Sequence, residues 1–403
     1  MGEMPLANSF LKSPEDFTTE QFYPLDLYFC EKCSLIQLLD VIDPEVLFRN
    51  YLYVTGTSET MATHNRNYAA SVIESGKLEP KDLVVEIASN DGTLLNFFRL
   101  QGFRILGVEP AENISRLARE NGIPTINDFF NSSCVGRILS SNGPARVILA
   151  NNVLAHVDDT VDFLKGCRTL LTEDGFVVFE VPYLRELLQN IEYDTVYHEH
   201  LCYFSVTTLM RLCDRVNLGI FRVDFVPVHG GSIRIFAAPG IEHSNSVVDQ
   251  ASEEKRLGMS DLNRYESFAE QVQHHRKELR ALLEGLQSEG KTVVAYGAPA
   301  KGNTLLNYCD IGTDLVSYTV DKSALKVGRY TPGKHLPVRS VGSLLEEQPD
   351  YVLLLAWNFA REIMQQQEEY RRRGGRFILP LPRPEVVREI PPPYQGGGKV
   401  GVE

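Results

Sequence analysis

Positive charge is in deficit in this chain. Its 40 lysines and arginines stand against 53 acidic residues, a net charge of −13 over 403 residues, and no basic stripe is visible. That excludes a nucleic-acid backbone as a partner. It does not exclude anionic small molecules, which respond to local charge. Long hydrophobic runs are also missing. "VVFEVPYL" and "YVLLLAW" fall far short of the roughly 20 apolar residues that span a bilayer, and the N-terminus has no signal-peptide pattern. No membrane is therefore expected as a partner, and the expected location is the cytoplasm. Cysteines are few, seven in all, an odd number at mostly wide spacings. This does not read as a disulfide framework and agrees with a reducing compartment. Only Cys30 and Cys33, in "FCEKC", sit close together.

What is there is a globular composition, 43% hydrophobic, long enough for two or three domains. Residues 1–62 carry little periodic pattern and read as a small separate module. From about residue 64 a helix leads into the apolar, β-branched runs 83–87, 104–108, 146–150 and 175–181, with helix-period segments beginning near Gly92, Ala111 and Val161. Such alternation predicts an α/β fold with a parallel, doubly wound sheet, which binds its ligands beyond the carboxyl ends of the strands. A helix over about 205–217 and strands over 219–226 and 233–238 follow. Phe268, Val272, Leu279, Leu283 and Leu286 then fall at helical spacing, a core-facing stripe on a long helix joining two domains. A second, smaller α/β alternation begins after Gly290, with the divisions falling at 1–62, 63–285 and 286–403. The closing "PPPYQGGGKVGVE" lacks periodicity and is expected to be mobile.

The first strand runs into "VEIASNDGTLL" and the second ends "GVEPAEN", which places Glu109 about 20 residues after the first turn. An acid there chelates ribose hydroxyls in open α/β sheets, and both NAD and S-adenosylmethionine carry that ribose. The turn discriminates between them. A dinucleotide site needs several glycines, whereas only Gly92 stands near such a position, and Asp91 would repel a pyrophosphate. A cationic sulfonium tolerates acids close by, so Glu86, Asn90, Asp91 and Glu109 suit S-adenosylmethionine, with Ala88 and Gly92 of the same turn as further cofactor-binding residues. Asn90 or Asp91 could equally cap a helix. Asn127 and Asp128 lie where an adenine edge would fall, or are turn residues. Asn151, Asn152 and His156, in "LANNVLAHVDD", come to the same sheet edge.

The segment "YDTVYHEHLCYFS", residues 193–205, returns to that edge. Its residues admit three readings. His198 and His200 could form an HxH metal pair, though no third ligand is specified. The segment could be an aromatic cluster of the core. It could also carry proton transfer, with histidine as base, a carboxylate to orient it and tyrosine hydroxyls to bind an oxyanion. The last reading is favoured and suggests abstraction of a proton beside a ketone before methyl transfer.

"PLANSFL", "YPLDLYFCEKCSLIQL", "VEIASNDGTLL", "NNVLAHV", "YDTVYHEHLCYFS", "VHGGSIRI", "YGAPAKGNTLLNYC", "GRYTPGKHLPV" and "LLLAWNFAREI" together resemble the S-adenosylmethionine-dependent sugar C-methyltransferases, which act on nucleotide-linked 4-keto deoxysugars. The resemblance covers almost the whole chain in order. It implies a zinc-binding N-terminal module, a Rossmann-like class I methyltransferase core, and a second Rossmann-like C-terminal domain closing over the nucleotide sugar. By matched position it implies His200 as the base beside the ketone, supported by Tyr197 and Glu199, with His156 and Tyr51 near the reacting centre. Independently of the family, "YGAPAKGNTLLN" offers a turn and helix start, with Ala298, Lys301 and Asn303, that could hold a phosphate or could be a structural turn. His229, in "HGGSIRI", is a substrate-loop residue or part of a glycine bend.

Two departures stand out. The family's zinc module has two CxxC pairs, the first upstream of "PLANSF", but here Cys30 and Cys33 are the only pair and supply half of a four-ligand site. Either the start is truncated or zinc has been lost; recruitment of a histidine such as His64 is a third, weaker option. Ala88 stands where the class usually has glycine, and should narrow backbone freedom without filling the pocket. Other readings are a nicotinamide-dependent nucleotide-sugar oxidoreductase and a non-catalytic binder of nucleotide sugar or S-adenosylmethionine. The sequence leaves the oligomeric state, the sugar carbon and the nucleotide undetermined.

Overall fold

The computed structural model describes residues 1–49, 59–227 and 230–391, with the side chains of residues 59–61 excepted. Tyr51, His229 and the tail from residue 392 lie outside the described residues. Among those described, no helix is long and apolar enough to cross a membrane.

The N-terminal stretch holds four short strands, β1 (Glu3–Pro5), β2 (Phe22–Pro24), β3 (Tyr28–Phe29) and β4 (Ile36–Gln37), and the helix Pro44–Phe48. A seven-stranded sheet follows. It contains β5 (Leu83–Ile87), β6 (Arg104–Val108), β7 (Thr125–Ile126), β8 (Ala145–Asn151) and β9 (Leu171–Pro182), then, beyond the two-residue β10 (Cys202–Tyr203), β11 (Leu218–Val226) and β12 (Ser232–Pro239). The order is β11-β12-β9-β8-β5-β6-β7, parallel except that β12 runs antiparallel to both β9 and β11. Every residue of β5 is buried, as expected of a central parallel strand covered on both faces. The strands expected at 219–226 and 233–238 thus complete the first sheet. The helices Ser132–Asn142 and Asn245–Arg256 had no counterpart in the sequence reading.

The C-terminal sheet is β15-β14-β13-β16-β17-β18, built from β13 (Val293–Tyr296), β14 (Thr319–Asp321), β15 (Val338–Ser340), β16 (Tyr351–Leu354), β17 (Arg376–Leu379) and the antiparallel β18 (Glu385–Val387). The helix Leu262–Ser288 leads into it and buries Phe268, Val272, Leu279, Leu283 and Leu286, the expected stripe, together with His275. His275 fastens the two halves: its Nε2–H donates to the Pro380 carbonyl at 2.6 Å, and its Nδ1 accepts from the Tyr193 hydroxyl at 2.9 Å.

One pairing matters for function. β10 belongs to neither large sheet; it pairs antiparallel with β4 to make the sheet β10-β4-β3. The segment 193–205 is therefore stitched to the N-terminal stretch. Leu38 N–H donates to the Leu201 carbonyl at 2.9 Å, and Leu201 N–H donates to the Ala155 carbonyl at 2.7 Å, beside His156.

Candidate active site

A cavity of about 830 Å³ opens between the carboxyl edges of the two large sheets. Its walls come from all three parts of the chain. Asn8 and Phe48 belong to the N-terminal stretch, Ala88, Asn90, Glu109, Asn151, His156, Tyr197 and His200 to the first sheet, and Ala300, Lys301, Asp321 and Lys326 to the second.

At the first-sheet end, the turn after β5 is held in an uncommon conformation. Ala88 and Asn90 have φ of 53° and 49°, and Gly92 has 79°. Alanine in the left-handed region costs about 1 kcal/mol, so Ala88 carries strain that glycine would not. Gly92 is needed for packing as well as for its φ, since a Cβ there would lie 2.6 Å from Ile123. It caps the helix Thr93–Leu100 rather than lining the cavity. Glu109 clamps the turn: Oε2 accepts the Asn90 N–H at 2.9 Å and Oε1 the Ala111 N–H at 2.8 Å. Burial pushes its pKa up, and those two donors hold it back. Each oxygen keeps a lone pair for a ribose hydroxyl. Glu86 is buried on the cavity wall with Oε2 unpartnered, its pKa driven well above the carboxylate range by burial and by the charge of Asp91. Asn151 Oδ1 accepts from the Tyr68 hydroxyl at 2.7 Å. An orphaned buried carboxyl oxygen beside a clamped turn fits the polar end of a bound adenosyl cofactor.

Asn127 behaves differently from the expectation. Its amide donates to the carbonyls of Glu109 and Pro110 at 2.8 and 3.0 Å, bracing the end of β6, and it is not on the cavity wall. Asp128 is on the wall, accepts the Phe129 N–H at 2.8 Å and pairs with Arg137.

Above the middle of the cavity sits His200, buried but on the wall. Its Nδ1 lies 2.8 Å from the Thr195 carbonyl, which can only accept, so Nδ1 carries the proton. Nε2 is then the basic nitrogen and takes a hydrogen bond from the Tyr197 hydroxyl at 2.9 Å. Burial holds the Tyr197 phenol well above its ordinary pKa, so it stays a donor. The His156 ring meets His200 edge-on with centroids 4.9 Å apart. Burial pushes the His156 pKa down to about 4, which keeps it neutral beside His200. Glu199 is buried behind the wall, where Asn8 Nδ2 donates to its Oε1 at 2.6 Å.

The HxH pair diverges. His198 donates from Nε2 to the Pro24 carbonyl at 3.1 Å, on the far side from the His200 contacts. Among the described residues, no three His, Cys, Asp or Glu side chains come together as a metal site. Cys30 and Cys33 form a turn in which Ser34, at φ 63°, donates its N–H to the Cys30 carbonyl at 2.7 Å. His64 does not join them. It lies on the cavity wall, 3.2 Å from Glu180. Two thiols do not close a zinc site, which takes four ligands.

At the second-sheet end, Asp321 repeats the Glu109 clamp. Oδ2 accepts the Ala298 N–H at 2.7 Å and Oδ1 the Ser323 N–H at 2.8 Å. Ala298 is buried behind the wall, and its carbonyl accepts from Lys326 Nζ at 2.8 Å. Asn303 is also off the wall; its amide donates to the Ala7 carbonyl at 2.7 Å and fixes the N-terminal segment. Lys301 is on the wall, donates to Asn358 Oδ1 and lies 4.0 Å over the Trp357 ring. Burial pushes its pKa down to about 8, against the pull of Asp194 and Glu192.

Sequence reasoning missed Asn8, Tyr68, Glu180, Asp321 and Trp357. Asp321 was within reach, because the rule that finds an acid at the end of the second strand applies as well to the second alternation. The others are set by contacts distant in sequence, for which no local signal exists.

Three family models match in succession: a zinc binding domain over residues 1–48, a methyltransferase domain over 61–222 and a C-methyltransferase C-terminal domain over 227–382. The C-methyltransferase NovU of Streptomyces niveus is 39% identical over 389 residues, 96% of this chain and 93% of the relative. Among solved structures, an S-adenosylmethionine-dependent methyltransferase from Clostridium acetobutylicum covers 45% of this chain and 92% of its own at 13% identity and a TM-score of 0.36. Magnesium protoporphyrin IX methyltransferase from Synechocystis covers 44% and 79% at 12% identity and a TM-score of 0.34. Likeness of that order bears no weight for the chemistry. The whole-length relative and the C-terminal model do: the chain belongs to the C-methyltransferase family.

Proposed function

We propose that this chain is an S-adenosylmethionine-dependent C-methyltransferase that deprotonates the carbon beside the C4 ketone of a nucleotide-linked deoxysugar, C3, and methylates the enolate. The observation that carries the reading is the His200 arrangement: Nδ1–H is committed to the Thr195 carbonyl, and the basic Nε2 is left at the cavity with the Tyr197 hydroxyl upon it. S-adenosylmethionine supplies an electrophilic methyl group when bound.

The residues divide the work as follows. Glu109 and the turn Ala88–Asp91 hold the adenosyl ribose, Glu86 and Asn151 face the amino-acid end, and Asp128 stands by the adenine. His200 Nε2 takes the proton from C3, and the C–H electron pair moves into the enolate. Tyr197 turns its hydroxyl from Nε2 to the ketone oxygen as negative charge develops there. The enolate carbon then forms the new C–C bond to the methyl group, whose bond to the sulfonium sulfur would break with its electron pair passing to sulfur, so that a neutral thioether leaves and the abstracted proton stays on His200. His156, kept neutral by burial, packs against the base without competing for its proton. Tyr51 and His229 complete the substrate pocket in this reading, and Glu199, held by Asn8, fixes the loop. The nucleoside lies on the second sheet, its ribose on Asp321 and its phosphates near the turn Gly297–Ala300. The three stretches 1–62, 63–285 and 286–403 contribute base-loop support, cofactor site with base, and nucleotide site respectively.

Mass spectrometry of reactions containing the full chain, S-adenosylmethionine and a panel of nucleotide-linked 4-keto-6-deoxysugars tests this. A gain of one methylene on a sugar, absent with His200→Ala while cofactor binding persists, is the expected result. Cofactor binding with no sugar gaining mass would overturn it.

A further inference from the structure

Asp194 is a buried acid that this mechanism leaves unused. It is the middle residue of the turn Tyr193–Thr195 and is wholly enclosed. Its Oδ2 accepts the indole N–H of Trp357 at 2.7 Å, while Oδ1 has no hydrogen-bond partner. Trp357 follows β16 of the second sheet and supports the Lys301 ammonium on its ring face. On the other side of Asp194, the next residue supplies the carbonyl that takes the His200 Nδ1–H. A run of contacts thus leads from the nucleotide end of the cavity to the tautomer of the base: Lys301, Trp357, Asp194, the Thr195 carbonyl, His200.

We propose that Asp194 is a positioning residue for His200, pinned by Trp357 so that the Thr195 carbonyl fixes the imidazole only while the C-terminal sheet is seated against the base loop. The inference rests on His200 being the base, as argued above. An enclosed carboxylate is a poor choice for packing alone, since an apolar side chain of similar volume stabilises at least as well. Burial raises the Asp194 pKa to about 6, with the Lys301 ammonium and the Trp357 N–H opposing it. The charged and titratable groups around it are Lys301 from the helix Ala300–Tyr308, Cys309 just beyond that helix, Glu192 and Tyr193 from its own segment, and Tyr197 further along the loop, whose phenol its charge helps to keep protonated. The same charge favours the imidazolium that His200 becomes on taking a proton.

Two substitutions separate position from charge. Asp194→Asn keeps an oxygen for the indole and removes the charge, whereas Trp357→Phe keeps an aromatic ring near Lys301 but removes the N–H donor together with part of the ring. Histidine-labelled full-length chain is titrated by ¹⁵N NMR, which needs no substrate, and turnover is followed on the keto-sugar panel. With Asp194→Asn the His200 pKa is expected to fall by about half a unit or more with Nδ1–H retained. With Trp357→Phe the two tautomers are expected to mix, and kcat should drop about tenfold with cofactor affinity unchanged. Wild-type tautomer and pKa in the folded Trp357→Phe and Asp194→Asn chains would overturn the proposal. If only one variant folds, the same reading on that variant decides. Should the wild type methylate no keto sugar, the function proposed above fails while the NMR result still judges the positioning role.

Discussion

Glu109 and Asp321 stand at the ends of corresponding strands in two different sheets, and each carboxylate ties two turns together. Glu109 takes the N–H groups of Asn90 and Ala111 at 2.9 and 2.8 Å; Asp321 takes those of Ala298 and Ser323 at 2.7 and 2.8 Å. Both face the same cavity. If each holds a ribose, the two substitutions should separate. Glu109→Ala should weaken S-adenosylmethionine binding about tenfold and leave nucleoside diphosphate binding alone; Asp321→Ala should do the reverse. Calorimetry with each ligand checks this, and equal effects on both ligands would count against two separate ribose sites.

Tyr197→Phe deletes one hydroxyl from the base and from the enolate oxygen. The expected result is a fall in kcat of about ten- to a hundredfold with the cofactor dissociation constant unchanged. Steady-state kinetics beside cofactor titration distinguishes this from a collapse of the loop, which would lower kcat and raise the dissociation constant.

Glu180 is buried, and burial by itself would raise its pKa. The His64 hydrogen bond and the charge of Arg234, 2.7 Å away, more than offset that and bring it to about 2. A carboxyl depressed in the folded state contributes stability that is complete above its unfolded pKa of about 4.5 and is lost as pH falls through about 2. Glu180→Gln should therefore destabilise the chain at neutral pH and flatten the loss of stability on acidification between these values. Thermal melts from pH 6 to pH 2 test the slope.

Ala88, at φ 53°, is the mildest departure from the family pattern and the easiest to reverse. Ala88→Gly relieves the left-handed strain but adds freedom to the unfolded chain, so the net gain should be up to about 1 kcal/mol with cofactor affinity retained. Denaturant titration measures it. A loss of several kcal/mol would mean that the methyl group packs against something essential.

The alternation of strands and helices was legible because fully buried parallel strands such as "LVVEI" leave an unmistakable apolar run, and the acid at the end of β6 followed from topology. The members of the base loop were legible by type, since His, Glu and Tyr crowd into thirteen residues. Their partners were not. The Asn8 to Glu199 bond spans 191 residues and the Trp357 to Asp194 bond 163, and no local pattern announces a contact at that range. Asn127 and Asn303 sat at plausible places for ligand contacts, but their amides are spent on backbone carbonyls. At such turns, unpaired main-chain oxygen competes for the same donors as a ligand.

The pairing of β10 with β4 has a consequence for how this enzyme can be taken apart. The stretch matched as a methyltransferase domain, residues 61–222, contains His200 but not the strand β4 that pairs with its loop. Excised at those ends, it would keep a Rossmann-like sheet while Cys202 and Tyr203 presented an unpaired edge, and His200 would ride on a loop with no anchor. The loop 193–205 is not portable: a chimera that exchanges the N-terminal stretch exchanges part of the support of His200, so functional recombination between relatives should succeed only where β4 and β10 come from the same parent.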